Sequence, residues 1–491
     1  MIANVHTGTL LGVQACGVRV EASPVRGLPG FDIVGLPETA VRESRVRVLA
    51  AVHNSGFALP ERRFAINLAP ADLRKAGAAL DLAIAVALLT ASGLCPSQRL
   101  NETLLLGELS LDGRLLHTRG VLPQLRSAQQ RGLRQAIISP DDQRSGALLT
   151  SLQVRTAAHL GQVIRYLTGQ GNLPLASTPA TLHSPPADPL DLSDVQGQEC
   201  AKRALEIACI GRHNILLIGP PGTGKTMLAQ RLPGLLPPPS PLERMEIATI
   251  ASAAELPELH PHSRPFRSPH HSCSQTALVG GGSPLRPGEV TLAHGGVLFL
   301  DELPEFRRSV LEALRPTMES GEVHIVRAQQ RITMPAAPLV VGALNPCPCG
   351  YAGDPQHVCR CTPLQLARYR NRISGPLLDR FDMHLQLGRI PVAALRQQAH
   401  GDRSPTVRKR VAQACAFAAK TGPAPLAADA LTLLQLTIER LGLSLRAYHK
   451  TLRIARSIAQ LAQAQQVTRA HVAEAIQYRV LDRSAGPQAI E

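Results

Sequence analysis

Hydrophobic residues follow three different rhythms along the 491-residue chain. In the first third, FDIVGL and RFAINLAP have the length and composition of short strands, and LDLAIAVALLTAS predicts a buried helix. From about 190 to 395, strands and helices alternate. Ile215–Ile218, Val297–Leu300 and residues 339–343 are continuous apolar runs, as expected of parallel strands buried on both faces. Beyond 396 the pattern is helical. SLRAYHKTLRIARSIAQLA keeps Leu445, Leu452, Ala455 and Ala459 on one face, and Thr468 is placed to cap a last helix with the stripe Val472, Ala475 and Ile476. Residues 169–189 are rich in Pro, Ser, Thr and Gly, have no apolar period, and read as a linker. The expected fold class is α/β, divided as 1–168, 169–189, 190–395 and 396–491, and no repeat of 20–50 residues is present.

Length agrees with this division, since roughly three domains fit at about 150 residues each. The chain is 44% apolar and 18% charged, which marks a globular protein. With 3% aromatics and no tryptophan, its cores must rest on Leu, Val, Ile and Ala. The net charge of +15 suits a polyanionic partner, and equally suits simple solubility. The N-terminus, MIANVHTGTLLGVQAC, lacks the basic start and apolar stretch of a secretory leader. The most apolar run, 78–95, carries Asp81 and is too short to cross a bilayer. A cytoplasmic protein without a membrane partner is expected. Ten cysteines are too few for a disulfide scaffold, and four of them are bunched, which points to metal.

The strongest chemical signal is Gly219, Pro220, Pro221, Gly222, Thr223, Gly224, Lys225 and Thr226, between the strand ILLI and the helix MLAQRL. This is a P-loop in its proper setting: glycines let backbone N–H groups curl around phosphates at the positive end of a helix. Lys225 is expected to reach the β- and γ-phosphates of ATP, and Thr226 to ligate Mg2+. GGVLFLDE then delivers two carboxylates at the C-terminal edge of a strand. Asp301 is expected on magnesium and Glu302 on the attacking water, although two such acids also suit a solvated turn. Asn345, closing LVVGALNP, is placed to orient the same water. Cys347, Cys349, Cys359 and Cys361 form C-x-C-x9-C-x-C, tighter than the usual zinc spacing but able to clip a loop around Zn2+, with His357 as an alternative ligand and buried free thiols as the plainer possibility.

Taken together, GPPGTGKTML, RPFRSPHHSCS, LVGGG, RPGEVTLAHGGVLFLDELPEF, ALNPCPCGY and ISGPLLDRFD closely resemble the magnesium-chelatase-like AAA+ proteins, and the whole chain resembles their YifB/ComM family. The resemblance implies an AAA+ P-loop core with a parallel sheet, a helical C-terminal lid and a ring, a homo-oligomer of six subunits. By the same resemblance, Arg380 in LLDRFD matches the arginine finger that enters the neighbouring subunit's ATP site. Arg446 in LSLRA matches the second sensor arginine, with Arg453 as the alternative. RPFRSPHHSCSQTALVGGG matches an insert that points at the pore of ring helicases. HIVRAQQRITM reads as two short strands and a turn flanked by Arg327 and Arg331, able to grip single-stranded or branched DNA by its backbone, or to be a solvated face.

The N-terminal region resembles the proteolytic domain of Lon in RKAGAALDLAIAV and LSLDGRLLHTRGVLPQLRSAQQRG. The dyad positions fall at or beside Ala79 and Pro123, which provide neither nucleophile nor base, so no protease is expected. The resemblance therefore implies an ATP hydrolase of the helicase type, promoting branch migration of incoming DNA in natural transformation. The alternative is a chelatase-like motor that remodels a protein partner.

Overall fold

The computed structural model describes residues 2–479, apart from 76, 178–189, 258–259, 261–262, 328–329, 355, 390–400 and 442–443. The N-terminal part is built on β1 (Ala3–Leu11), β2 (Gln14–Val25), β3 (Gly30–Val34), β4 (Arg63–Ala69), β5 (Thr103–Leu105), β6 (Gln135–Ile138) and β7 (Gln153–Thr156). They form one mixed sheet in the order β3-β4-β2-β1-β5-β6-β7, antiparallel only at β4-β2 and β2-β1. FDIVGL and RFAINLAP are the strands β3 and β4. The apolar run is α2 (Asp81–Ala91), whose residues are buried from Asp81 through Thr90 against β1 and β2. Its one acid is kept at the helix start, where the backbone dipole favours negative charge. There Asp81 accepts bonds from Ser44 and from Arg47 Nε at 2.8 Å, both on α1 (Thr39–Asn54). Of the expected linker, Leu173 is buried and Ala176 donates its N–H to Val154 of β7 at 2.8 Å; residues 178–189 lie outside the described residues.

The central part carries a five-stranded, all-parallel sheet of β8 (Ile215–Ile218), β9 (Phe266–Arg267), β10 (Val297–Leu300), β13 (Leu339–Leu344) and β14 (Met383–Gln386), in the order β9-β10-β13-β8-β14. Side chains alternate along each strand. Ile215 and Leu217 join the core of α4 (Glu199–Gly211) and α5 (Lys225–Leu235), whereas Leu216 and Ile218 join that of α7 (Arg308–Ser320). Both faces are covered, which is why these strands read as unbroken apolar runs. Between α7 and β13 stands a hairpin of β11 (Glu322–Arg327) and β12 (Gln330–Pro335), paired from Glu322↔Pro335 to Arg327↔Gln330.

The N-terminal part is seated on this core. Arg119 Nε donates to Ala253 O at 2.7 Å and Arg126 Nη1 to Thr249 Oγ1 at 3.1 Å, joining the start of α3 (Val121–Gln130) to α6 (Pro241–Ala254). Gln14 Nε2 donates to Thr333 O of the hairpin at 2.9 Å, and Val13 is buried in the same cluster as Met334.

After α8 (Pro363–Arg370), the last four described helices are α9 (Ser404–Thr421), α10 (Ala428–Leu441), α11 (Leu445–Leu461) and α12 (Arg469–Gln477). Thr468 precedes α12, which buries Val472 and Ala475 as expected. The expected face of α11 needs one correction. Leu452, Ala455 and Ala459 are buried, but Leu445 is 73% exposed. It is the first residue of the helix, ahead of the packed stretch that begins at Ala447. None of the described helices is long and apolar enough to cross a membrane.

The C-terminal helices meet the core around one buried knot. Asp382 accepts the N–H of Asn214 at 3.0 Å and lies 3.5 Å from Lys450 Nζ of α11. His213 bonds Ser457 of α11 at 2.8 Å, and burial pushes its pKa down to about 4 despite nearby Asp382. Burial likewise lowers His384 to about 3. Both rings stay neutral in the folded chain, whereas the unfolded chain protonates them below about 6.5. Stability is therefore complete above that pH and falls as pH drops from 6.5 towards 4, by on the order of 3 kcal/mol for each ring. We expect the melting temperature to decline across this window, and the decline to be shallower in His213→Gln; equal slopes in a folded variant would show that this ring does not drive the loss.

Candidate functional site

The parallel order brings the ends of β10, β13 and β8 side by side at one sheet edge, which is where open α/β sheets take ligands. β8 runs into Gly219, and α5 starts at Lys225 behind Gly224, whose φ of 86° is a left-handed conformation that favours glycine. Lys225 Nζ donates to Gly219 O at 2.6 Å, Pro220 O at 3.0 Å and Asn345 Oδ1 at 3.0 Å. Burial lowers its pKa, against the pull of Asp301 and Glu302. The amine is thus partly stripped of water and capped by neutral oxygens that a phosphate can replace. Thr223 Oγ1 donates to Pro220 O at 2.9 Å and stiffens the loop. Thr226 Oγ1 donates to Asp301 Oδ2 at 3.0 Å, so the hydroxyl and carboxylate suited to magnesium already touch. The donor set fits a nucleoside triphosphate with its divalent ion.

Glu302 follows with φ 50°, which turns its carboxylate out of the strand line. Its Oε2 lies 3.3 Å from Nδ1 of His271. The pattern along the chain does not announce this pairing. The histidine pair belongs to RPFRSPHHSCS, which the resemblance directs at a pore; that stretch begins as edge strand β9 and brings His271 beside Glu302. The double histidine beside a strand was the available signal. Gln198, also missed, donates to Gly388 O at 2.7 Å and to Thr223 O at 3.4 Å.

Arg380 and Arg446 lie together, but not with Lys225. Both line a cavity of about 560 Å³ with Asp379, Lys450 and Arg453, and no residue of the phosphate loop reaches it. Arg446 is exposed. The Arg380 side chain is only 10% exposed and pairs with Glu319 at the end of α7, a distant partner in sequence that no local pattern signals.

The four cysteine sulfurs lie within 4.8 Å of one another, with Cys347–Cys349 at 3.3 Å, Cys349–Cys359 at 3.6 Å and Cys347–Cys359 at 3.7 Å. Backbone N–H groups of Tyr351 and Arg360 lower the Cys349 thiol, whereas Cys359 and Cys361, despite backbone N–H groups of their own, are raised by burial and by the neighbouring sulfurs. His357 instead stacks on Tyr351 with ring centroids 4.8 Å apart and stands 3.9 Å from Asp354. Arg331 is exposed on β12; the backbone of Arg327 closes the hairpin ladder, and its side chain lies outside the described residues. In the N-terminal part Lys75 is fully buried, its amine donating to Gly35 O at 2.9 Å and to Pro70 O, and Ala79 O accepts the N–H of Gly107.

Comparison with known proteins agrees with this geometry. Residues 191–395 match the family described as magnesium chelatase, subunit ChlI; residues 20–142 match subunit ChlI of Mg-chelatase, and 401–479 its C-terminal part. The chain is 45% identical to the uncharacterized protein YifB of Salmonella typhimurium, over 98% of both chains. It is 42% identical to the competence protein ComM of Haemophilus influenzae, again over 98% of both. A shorter stretch, 28% of this chain, is 28% identical to Lon protease 2 of Bacillus subtilis over 26% of that protein. With an AAA+-type parallel sheet, a partial likeness to a Lon protease and near full-length likeness to both relatives, the chain belongs to the YifB/ComM family of magnesium-chelatase-like ATPases.

Proposed function

We propose that the chain is one subunit of a homohexameric, ATP-driven ring that moves along DNA without reading its sequence and drives branch migration during the recombination of incoming DNA in natural transformation. The observation that carries this reading is the split site. Phosphate loop, carboxylates and Asn345 converge on Lys225, while Arg380 and Arg446 occupy a separate cleft. A second copy supplying that cleft to the first would complete the site, as a guanidinium given in trans does in other nucleotide hydrolases. In this reading the N–H groups of the loop bind phosphates, and Lys225 exchanges its carbonyl caps for β- and γ-phosphate oxygens. Thr226 and Asp301 hold magnesium, which supplies charge neutralisation at the phosphates. Glu302 takes the proton of the attacking water, and Asn345 orients it.

DNA is favoured by the +15 charge, by Arg327 and Arg331 at the far end of the hairpin ladder from its root, and by the competence protein among the relatives. The four cysteines are proposed to bind one structural Zn2+, since four protein ligands leave no position open for a substrate.

Glu302→Gln should still bind ATP but lose about 100-fold or more in turnover, because the water keeps its place and loses its base. Near wild-type hydrolysis would remove Glu302 from this role.

DNA-stimulated ATPase and four-way-junction unwinding, measured at several salt concentrations, test the motor itself. Binding should weaken steeply with salt, and Arg327→Ala with Arg331→Ala should flatten the logarithmic salt slope by about 1 for each phosphate left without its arginine. Unwinding should fall further than DNA-independent hydrolysis. A wild-type ring that neither binds DNA nor is stimulated by it at low salt would favour the protein-remodelling motor instead.

Metal analysis of freshly reduced protein should find about one zinc per chain, absent from Cys347→Ser or Cys361→Ser. Metal-free wild-type protein would leave the four as thiols.

A further inference from the structure

The cysteine loop is fastened to the nucleotide site at three points. Covalently, Cys347 lies two residues beyond Asn345, the residue bonded to the Lys225 amine. Cys347 is fully buried, and its sulfur accepts the N–H of Ala352 at 3.2 Å. By packing, Gly350, at φ +86°, presses on the phosphate loop; a Cβ there would stand 2.8 Å from Pro221 Cδ. By charge, the covered carboxylate of Asp354 pairs with Arg389 Nε at 2.7 Å. Arg389 continues a segment that also touches the loop: Leu387 donates its N–H to Ile218 O at 2.8 Å, and Gly388 O shares Gln198 with Thr223.

We infer that the four-thiolate site and the nucleotide site are one coupled unit, in which the metal fixes Asn345 and Pro221 for phosphate binding and bound nucleotide in turn tightens the metal. The inference rests on the zinc reading above. The physical reason is the short tether. Without an ion, the described residues of the loop are closed by hydrogen bonds such as that from Ala352 to Cys347, and any freedom regained is passed to Asn345 through two peptide units and to Pro221 through direct contact. With four thiolates on one ion, the loop has a single shape, and that shape carries the Asn345 oxygen at the amine. Coupling between two binding sites is reciprocal, so the factor by which zinc strengthens nucleotide binding must equal the factor by which nucleotide strengthens zinc binding. An independent structural clip would give a factor of one.

The test uses the full zinc-loaded chain and a zinc-selective chromophoric chelator, comparing the extent of zinc transfer with and without a saturating, slowly hydrolysed ATP analogue and magnesium. Nucleotide should tighten zinc by about 5-fold or more. Lys225→Ala, unable to hold the phosphates, should lose the effect. Asp354→Asn keeps all four thiols, the Asn345 tether and the Pro221 contact, and should keep its zinc while the nucleotide effect shrinks in part, since one of the three fastenings is lost. Equal zinc transfer with and without bound nucleotide overturns the coupling and leaves the zinc reading intact. Wild-type chain isolated without zinc overturns both, and the metal analysis separates the two cases.

Discussion

Everything chemical in this molecule depends on three adjacent strands running the same way. Because β10, β13 and β8 are parallel and neighbours, the residues that follow them emerge at one edge, although Gly219, Asp301 and Asn345 are far apart in sequence. Burial on both faces keeps the strands in register: Leu217 and Phe299 pack to one side, Leu216 and Leu298 to the other. Shifting a strand by one residue would exchange those faces and displace its terminal functional group by one strand rise, about 3.3 Å. The Lys225–Asn345 and Thr226–Asp301 bonds require a closer match than that.

The same edge explains why the nucleotide chemistry is divided between two places on the chain. On the proposed roles, the groups around Lys225 serve phosphate binding, magnesium and water activation, while the cations proposed to meet the developing charge on the phosphoryl group lie in the Arg380–Arg446 cleft. Arg380 meanwhile has Glu319 as a partner, which meets the cost of keeping a nearly covered guanidinium charged. Its near neighbour Asp382 is fixed to Asn214 and Lys450, so the cleft has a wall from the sheet and another from α11.

Much of this was legible from sequence where chemistry is local. The phosphate loop, the paired acids and the strands that carry them are contiguous, and all three apolar runs are strands at or within one residue of the expected bounds. The cap at Thr468 and the two-stranded hairpin were equally readable. The long hairpin of β1 and β2 was not, because its buried positions include Thr7 and Thr9, which break any simple apolar alternation. Leu445 looked like part of a stripe and is exposed, since periodicity does not tell where along a helix packing begins. His271–Glu302, Arg380–Glu319 and Asp354–Arg389 are contacts between distant segments, and nothing in either partner's neighbourhood encodes the other.

One helix joins the parts that the proposed motor must keep in step. At the end of α7, Glu319 holds Arg380; after a turn at Gly321, the next residue, Glu322, begins the hairpin that bears Arg327 and Arg331. The base of that hairpin is in turn held by the N-terminal part, through Gln14 to Thr333 and through Val13 beside Met334. A helix is stiff along its axis, so displacement of the α7 end moves the finger's partner and the hairpin root together. On the proposed roles, a load on the hairpin is felt at the cleft offered to the neighbouring subunit, while the N-terminal part limits how far the root can swing. On the same proposed roles the N-terminal part has a mechanical place in the molecule, while its Lys75 is buried against backbone carbonyls.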